Sequence, residues 1–212
     1  KRVISAIINT EENERKRFAK DLHDGLGPLM STVKMSLSAL GGRITDPTDT
    51  VILNNTNHLI NEAINTLKDI SNNLSPHILS NFGVSSALSA FIAKINQTRA
   101  IEIDFKSNMQ NSRIDPEKEV VMYRAACELI NNSIRHSGAS RIEIELNRLE
   151  KFITLQFSDN GRGFDTSSLG NDDNEKGMGL SNIETRVKSV DGVFILESNP
   201  GKGTSALIKM IE

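Results

Sequence analysis

Three short polar segments in the second half of the chain have the residue types needed to hold a nucleotide. The first is the run 159–164, Asp-Asn-Gly-Arg-Gly-Phe, which directly follows a strand-like stretch. Its glycines allow the backbone to approach a ligand closely, and the carboxylate of Asp159 can accept a hydrogen bond from an exocyclic amine. The second is the run 177–180, Gly-Met-Gly-Leu, at the predicted entrance of a helix, where backbone N–H groups favour a phosphate.

The third segment is a predicted helix with one polar face. Glu128, Asn132, Arg135 and His136 recur at spacings of three and four, so they share a face of a regular α-helix. Carboxylate and amide oxygens there suit a hydrated magnesium ion and phosphate oxygens. Each segment alone has an ordinary explanation, either a hairpin turn or a solvated helix face. Together and in this order they favour a nucleotide site, although none is a Walker A loop or a dinucleotide fingerprint.

His23 is the candidate nucleophile in the first third of the chain. The adjacent Asp24 can take a proton from one imidazole nitrogen while the other nitrogen attacks. Pro28 cannot donate a hydrogen bond to the carbonyl of Asp24, so we expect a kink just after His23. The competing interpretations are a solvated helix face and a kink that only adjusts packing. Four basic side chains that can attract phosphates precede His23: Arg15, Lys16, Arg17 and Lys20.

Two long helices are predicted to position His23. Residues 1–40 lack strand-like alternation, and a turn is predicted over 45–49, followed by a second helix over about 50–74. A helical hairpin of this size cannot bury the apolar stripes of both helices by itself, so we expect a homodimer that completes a four-helix bundle. The first stripe consists of Phe18, Leu22, Leu29, Val33, Leu37 and Leu40, and the second of Ile60, Ala63, Leu67, Ile70 and Leu74.

The remaining residues predict an α+β sandwich that carries the nucleotide segments. Asp115 and Pro116 predict a helix start, as N-cap and first-turn residue. The polar loop over 159–178 is long for a compact domain, and we expect its residues 165–176 to form a mobile lid. Helices are predicted over 84–96, 116–136 and 181–190, and strands over 101–105, 141–146, 152–157, 193–197 and 205–210.

Composition narrows the function classes. The 212 residues include 25 Lys and Arg against 27 Asp and Glu, which argues against a protein that coats nucleic acid or acidic lipid. Cys127 is the single cysteine, which excludes an intrachain disulfide framework and a cysteine-rich zinc site, and we interpret it as a buried thiol. No apolar run approaches the roughly 18 residues that span a bilayer. The chain begins with Lys, so we interpret it as part of a longer protein whose membrane segment would lie outside it.

The motif order Glu-x-x-x-Asn, Asp-x-Gly-x-Gly, Gly-x-Gly-Leu, Gly-x-Gly-Thr resembles the ATP-binding domain shared by histidine kinases, DNA gyrases, heat-shock-90 chaperones and mismatch-repair ATPases, over roughly residues 84–210. The resemblance implies that Asn132 binds Mg²⁺, that Asp159 contacts the adenine amine and that Glu128 orients water or metal. It further implies an adenine pocket shaped by Gly161 and Gly163, phosphate contacts from Arg135, His136 and the segment Gly177, Met178, Gly179 and Leu180, and support of the Asp159 contact by Thr204.

The string that ends at His23 and Asp24, Glu-Arg-x-Arg-x-Ala-x-Asp-Leu-His-Asp, resembles the dimerisation and phosphoacceptor region of two-component sensor histidine kinases of the nitrate-sensor type, the third HisKA class. The resemblance implies a cytoplasmic, homodimeric kinase that phosphorylates His23 from ATP and Mg²⁺ with Asp24 as general base. The phosphoryl group would pass to an aspartate of a response-regulator receiver domain, with no direct contact to nucleic acid. Pro28 stands where many members have a Gln that positions water for dephosphorylation, so kinase activity is implied and phosphatase activity is not.

The expected organisation is therefore a dimeric four-helix bundle with the phosphoacceptor over residues 1–78, followed by an α/β-sandwich ATPase domain over residues 79–212. Two alternatives remain. An ATP-binding scaffold would bind nucleotide without stable phosphorylation. A serine kinase of the anti-sigma type would share the ATP domain and give an acid-stable phosphoprotein, but it leaves the first 75 residues unexplained.

Overall fold

The computed structural model describes residues 2–44, 46–74, 77–110, 112–166 and 175–212. The chain divides into two compact units, of which one comprises residues 6–77 and the other consists mainly of residues 78–212. The α-helices of the described ranges are α1 (Arg2–Asp21), α2 (Gly27–Gly41), α3 (Pro47–Leu74), α4 (His77–Gln97), α5 (Pro116–Asn132) and α6 (Glu175–Ser189). The strands are β1 (Glu102–Ser107), β2 (Arg141–Leu149), β3 (Phe152–Asp159), β4 (Val193–Ser198) and β5 (Thr204–Ile211).

The kink expected near His23 is a π-helical turn, Leu22–Leu26, between α1 and α2. The N–H of Gly27 donates to the carbonyl of Leu22, five residues back, in place of the usual four. The cause lies in the sequence, because Pro28 has no N–H to continue the α-helical ladder. The turn therefore absorbs one extra residue at the position of His23.

The helix α3 begins earlier than the sequence pattern suggested. The Asp46 carboxylate accepts hydrogen bonds from the N–H groups of Thr48, at 2.7 Å, and Asp49, at 3.3 Å. Pro47 occupies the first helical position, where its missing N–H has no consequence. The prediction of a turn over residues 47–49 is therefore wrong, because an Asp cap followed by Pro starts a helix as readily as it forms a turn.

The helical unit leaves most of its apolar side chains accessible. Ala19 is its single fully buried apolar residue among the described side chains, and the carbonyl of Ala19 accepts a hydrogen bond from Ser71 of α3 at 3.1 Å. Within the predicted second stripe, Ile60 and Leu67 are half-buried, whereas Ala63 and Ile70 are exposed. The large exposed apolar residues on α1, α2 and the turn between them are Phe18, Leu26, Leu29, Val33, Met35 and Leu40.

The second unit is a two-layer sandwich, which confirms the predicted α+β class. Its sheet has the strand order β1-β2-β3-β5-β4, with β1 parallel to β2 and the other neighbours antiparallel. The predicted β2–β3 hairpin is confirmed, as is the Asp115 cap of α5, which accepts from the N–H groups of Glu117 and Lys118. One continuous core joins the sheet to α4, α5 and α6. One sheet face thus carries the helices that position the nucleotide segments.

One described helix, over residues 78–97 of α4, is long and apolar enough by composition to cross a membrane, which the sequence inspection did not anticipate. The packing explains its composition. Val84, Leu88 and Ile92 of this helix are almost fully buried in the core of the sandwich. The apolar residues of this helix therefore serve the core of this unit.

An ion pair between a buried carboxylate and an exposed guanidinium lies at the start of the sandwich. The Glu119 carboxylate is 1% exposed and receives hydrogen bonds from Arg113 Nε at 2.9 Å and Nη2 at 2.8 Å. Arg113 Nη1 also donates to the carbonyl of Ser80 at 3.1 Å. Gly83 interrupts α4 with φ of 80°, and a Cβ there would lie 3.0 Å from both Arg113 Cδ and Glu119 Oε1. The pair therefore holds the break in α4 against the start of α5.

Candidate nucleotide site and phosphoacceptor

The Asp159 carboxylate is held on both of its oxygen atoms. It lies at the end of β3, buried at 9% exposure, where Oδ1 accepts from the N–H of Gly161 at 2.8 Å. Oδ2 accepts from the Ser133 hydroxyl at 3.0 Å. A carboxylate fixed in this way keeps free lone pairs in a defined direction, which suits recognition of an exocyclic amine.

The loop after Asp159 follows a path that only glycine permits at two positions. A Cβ at Gly161 would lie 2.5 Å from the Cβ of Ser137. Gly163 has φ of 60°, and a Cβ there would lie 2.1 Å from the carbonyl oxygen of Asn199. The N–H of Arg162 donates to the carbonyl of Ser137 at 2.9 Å, which ties the loop to the end of the α5 segment. The two glycines thus let the loop backbone pass close to Ser137 and Asn199.

Thr204 lies beside Asp159 through strand pairing. The two residues are partners in the β3–β5 register. The Thr204 hydroxyl lies 3.2 Å from that of Ser198, whose own hydrogen is donated to the carbonyl of Gly203 at 2.9 Å. The Thr204 hydrogen is therefore directed to Ser198, and Thr204 is linked to Asp159 through strand pairing, with its role at the site still a prediction.

Glu128, Asn132 and Gly179 meet where α5 and α6 approach each other. Asn132 Nδ2 donates to Glu128 Oε1 at 3.3 Å, and both side chains are half-buried. A Cβ at Gly179 would lie 2.3 Å from Glu128 Oε1 and 3.5 Å from Asn132 Nδ2. The absence of a side chain at Gly179 therefore leaves Glu128 in its place beside Asn132.

This pair has the donors that a magnesium ion accepts. Because Asn132 uses its amide nitrogen toward Glu128, its Oδ1 atom is left for another ligand. Within the described residues no group of three His, Cys, Asp or Glu side chains is close enough to hold a metal ion by itself. An ion bound here would need oxygens from a phosphate and from water, which is the usual coordination of Mg²⁺ in nucleotide sites.

The segment after Asn132 departs from the regular helix on which the predicted polar face was based. Residues Ser133–Ser137 form a second π-helical turn, and Ser137 Oγ donates to the carbonyl of Ser133 at 2.7 Å. A side-chain bond to that carbonyl competes with the α-helical ladder. Arg135 and His136 are exposed, whereas Glu128 and Asn132 are half-buried. Arg135 and His136 thus lie on an irregular turn, and not on the regular helix that the predicted spacing assumed.

The predicted phosphate segment lies within α6. This helix begins at Glu175, so Gly177 and Met178 belong to its first turn, where backbone N–H groups lack intrahelical acceptors. Leu180 is half-buried and packs against the core of the sandwich. Most of the predicted lid, at residues 167–174, lies outside the described residues.

His23 and Asp24 lie together on the first π-helical turn, and both side chains are exposed. No residue of this turn is buried. The position is therefore reachable by a large reaction partner, as transfer of a phosphoryl group between proteins requires.

Cys127, one residue before Glu128, is half-buried. Burial raises the pKa of its thiol to about 12, and burial likewise raises the pKa of its hydrogen-bond partner Tyr123. A thiol with a raised pKa is a poor nucleophile, and the residue is half-buried where the sequence had suggested a buried thiol.

The sequence did not single out Ser133, Ser137 or Ser198, although all three are buried at this site. Serine is common, and each role depends on a contact with a distant strand or loop. The one available signal was the four-residue spacing of Ser133 and Ser137, on the segment that follows Asn132.

Comparisons with known proteins agree with both halves of the chain. Residues 117–211 match the family model described as histidine kinase-, DNA gyrase B-, and HSP90-like ATPase, and residues 14–79 match a histidine kinase model. Sensor histidine kinase MctS of Rhizobium johnstonii is 28% identical over 201 residues, which cover 94% of this chain and 43% of that protein. Oxygen sensor histidine kinase NreB of Staphylococcus carnosus is 26% identical over 212 residues, which cover 99% of this chain and 60% of that protein.

Among solved structures, the histidine kinase domain of the Erythrobacter litoralis blue-light activated histidine kinase aligns with a TM-score of 0.52 at 13% identity, covering 87% of this chain and 94% of that one. This likeness concerns the fold. The chain spans about half the length of the curated relatives it matches. With a phosphoacceptor-type helical unit and an ATPase-type sandwich matched in order, the chain belongs to the histidine kinase family.

Proposed function

We propose that this chain is the catalytic core of a sensor histidine kinase that phosphorylates its own His23 from ATP. Residues 1–78 would dimerise and carry the phosphoacceptor, and residues 79–212 would bind the nucleotide. The observation that carries the proposal is the pairing of two features in one chain. His23 and Asp24 are exposed on an irregular helical turn, and the sandwich holds a buried, doubly anchored Asp159 near the Glu128–Asn132 pair.

On the nucleotide side, Asp159 would accept a hydrogen bond from the adenine amine, within a pocket walled by Gly161 and Gly163. Asn132 would be the protein ligand of Mg²⁺, and Glu128 would orient that ligand and a water molecule. The metal would neutralise charge on the phosphates. The phosphates would lie near the first turn of α6 at Gly177 and Gly179, with Met178 and Leu180 in the same segment, and near the exposed Arg135 and His136.

The reaction is a transfer of the γ-phosphoryl group to an imidazole nitrogen of His23. The new P–N bond forms as the bond between the γ-phosphorus and the bridging oxygen breaks, and ADP leaves. The proton on the other imidazole nitrogen passes to the carboxylate of Asp24. The protein contributes alignment and charge neutralisation, which are the main sources of rate in phosphoryl transfer.

The proposed partners follow from this chemistry. The phosphohistidine would be passed to an aspartate of a response-regulator receiver domain, and a second copy of the chain would cover the exposed apolar residues of the helical unit. We expect no direct contact with nucleic acid, since the net charge is −2. The core would act in the cytoplasm, with any membrane contact made by a segment outside these residues.

The test is autophosphorylation with γ-labelled ATP followed by acid and base treatment. We expect a base-stable, acid-labile label that is lost in His23→Gln and in Asn132→Asp, and retained in His58→Gln, which removes another exposed imidazole of the helical unit. A label that persists in His23→Gln contradicts the assignment of the nucleophile. An acid-stable label would indicate a serine kinase, and ATP binding without label would indicate a scaffold.

A further inference from the structure

We propose that Ser133 is a positioning residue that holds the Asp159 carboxylate for recognition of the nucleotide base. This inference rests on the proposed function, because it gives a role to a residue beside the proposed adenine contact. Ser133 Oγ lies 3.0 Å from Asp159 Oδ2, although the two residues are on different layers of the sandwich. The contact thus ties the end of the α5 segment to the end of β3.

The direction of the Ser133 hydroxyl hydrogen follows from the hydrogen bonds that its neighbours already make. Ser133 Oγ has two neighbours at 3.0 Å, Asp159 Oδ2 and Ser137 Oγ. Ser137 Oγ already accepts from the N–H of Ala139 at 2.9 Å, and it donates its own hydrogen to the carbonyl of Ser133 at 2.7 Å. An ionised carboxylate can only accept, and a hydrogen bond to a charged acceptor is the stronger one. The Ser133 hydrogen is therefore directed at Asp159.

Burial makes this hydrogen bond matter. Ser133, Ser137 and Asp159 are 4%, 9% and 9% exposed. Water therefore has little access to replace the Ser133 hydroxyl on Oδ2, and a buried polar atom left without a donor is unfavourable. With Gly161 as the only remaining donor, the carboxylate is free to rotate about its terminal bond and loses the orientation that the base requires.

The chain path gives Ser133 a second consequence. Ser133 directly follows Asn132, so neighbouring residues of one segment hold the base side and the proposed metal side of the site. The orientation of Asp159 is thereby coupled to the helix end that carries Glu128 and Asn132. A regular α-helix over residues 133–137 would change the positions of these hydroxyls, so the π-helical turn is part of the site.

The experiment compares binding of ATP with that of purine riboside 5′-triphosphate, which lacks the exocyclic amine, in the full chain. In Ser133→Ala we expect ATP affinity to fall about tenfold, because a hydrogen bond to a charged group is lost. Affinity for the purine analogue should stay within about twofold, since it makes no amine contact. Ser133→Cys, which keeps the volume with a weaker donor, should be intermediate. Ser189→Ala, which removes a hydroxyl bonded to the Arg186 carbonyl in α6, is the matched control and should change neither affinity.

Two results would overturn the role of Ser133. An equal loss of affinity for both nucleotides in Ser133→Ala would show that the hydroxyl serves only the fold. An unchanged affinity for ATP would show that Asp159 does not need the Ser133 hydrogen bond. If Ser133→Ala does not unfold cooperatively, the ratio of the two affinities in Ser133→Cys decides between these outcomes. Failure of the wild-type chain to bind either nucleotide would instead contradict the proposed function.

Discussion

The two units of the chain use apolar residues in opposite ways. In the sandwich, an apolar core of strands and helices is buried within a single copy of the chain. In the helical unit, Ala19 alone among the described apolar side chains is fully buried, while large residues such as Leu29, Leu59 and Ile70 are 59%, 62% and 46% exposed. The sandwich therefore buries its own apolar core, whereas the helical unit has an exposed apolar surface of the kind that a partner covers.

The two π-helical turns repeat this contrast at the level of single sites. The turn at Leu22–Leu26 has no buried residue, and its cause is local, since Pro28 lacks an N–H. The turn at Ser133–Ser137 has its two serines buried and bonded to each other, and Ser133 also bonds to Asp159 of β3. The proposed nucleophile, His23, is thus placed on a turn without a buried residue. The proposed nucleotide site, which requires preorganised side chains, is placed on a turn with buried residues.

The strongest way to test the contrast is to place charges on two exposed apolar side chains of α3, Leu59 and Ile70. In Leu59→Asp/Ile70→Asp, the dissociation constant of the proposed dimer should rise about 1,000-fold, because two apolar residues of the proposed interface are replaced by carboxylates. Sedimentation at micromolar concentration measures this. Asn61→Asp/Asn65→Asp adds the same charges at other exposed α3 positions and is the control. A dimer that survives the substitution of Leu59 and Ile70 would show that these two residues are not in the interface.

The next largest effect is expected inside the sandwich. Glu119→Ala should lower the free energy of unfolding several times more than Glu184→Ala, since the buried Glu119 carboxylate is what holds Arg113 at the break in α4. Glu184→Ala removes a carboxylate from an exposed ion pair with Lys188 and should lower it by under about 0.5 kcal/mol. Chemical denaturation of the isolated sandwich gives both values. Similar losses in the two variants would mean that burial does not strengthen the Glu119 pair.

A smaller effect is expected from Gly179→Ala. The added methyl would displace Glu128 from Asn132, so ATP affinity should fall about tenfold. Folding stability should stay constant or rise by up to about 1 kcal/mol, because Ala is the better helix former. Gly42→Ala in the helical unit, whose Cβ would have 4.0 Å of clearance, should leave ATP binding unchanged. An unchanged ATP affinity in Gly179→Ala would show that the position of Glu128 does not matter for nucleotide binding.

The smallest effect concerns the cap of α3 in the helical unit. Hydrogen bonds from the Thr48 and Asp49 N–H groups lower the pKa of Asp46 below its ordinary value of 3.8. A lowered folded-state pKa adds stability above the ordinary value, and this stability is lost as the pH falls through the folded-state value. Asp46→Asn keeps the cap without the titration, so below pH 4 its thermal unfolding should change less with pH than that of the wild type. Identical pH profiles would show that the cap charge contributes nothing.

Much of the fold could be predicted from local pattern. The Asp115 cap, the β2–β3 hairpin and the irregularity at His23 each depend on neighbouring residues, and the structure contains all three. The predictions of helix starts were wrong where the same short sequence is compatible with two local structures. Asp46 and Pro47 suit a turn or a helix start, and Ser181 was predicted to begin a helix that starts at Glu175.

The candidate site divides in the same way. The residue types of Asp159, Glu128 and Asn132, and the glycines near them, could be read from motif order. The position of Ser133 against Asp159 could not, because it depends on where α5 meets the sheet.

By itself, the sequence determined the chemistry available to this protein: an imidazole beside a carboxylate, and a carboxylate, amide and glycine set suited to ATP. Spacing along the chain fixes which side chains are neighbours within a helix or a strand. Only the tertiary structure decided which groups are held and which are left open. A contact between distant residues, Ser133 and Asp159, anchors the Asp159 carboxylate, because helix and strand meet there only in the folded chain. Arg135 and His136 lie on the irregular turn that follows the regular helix carrying Glu128 and Asn132.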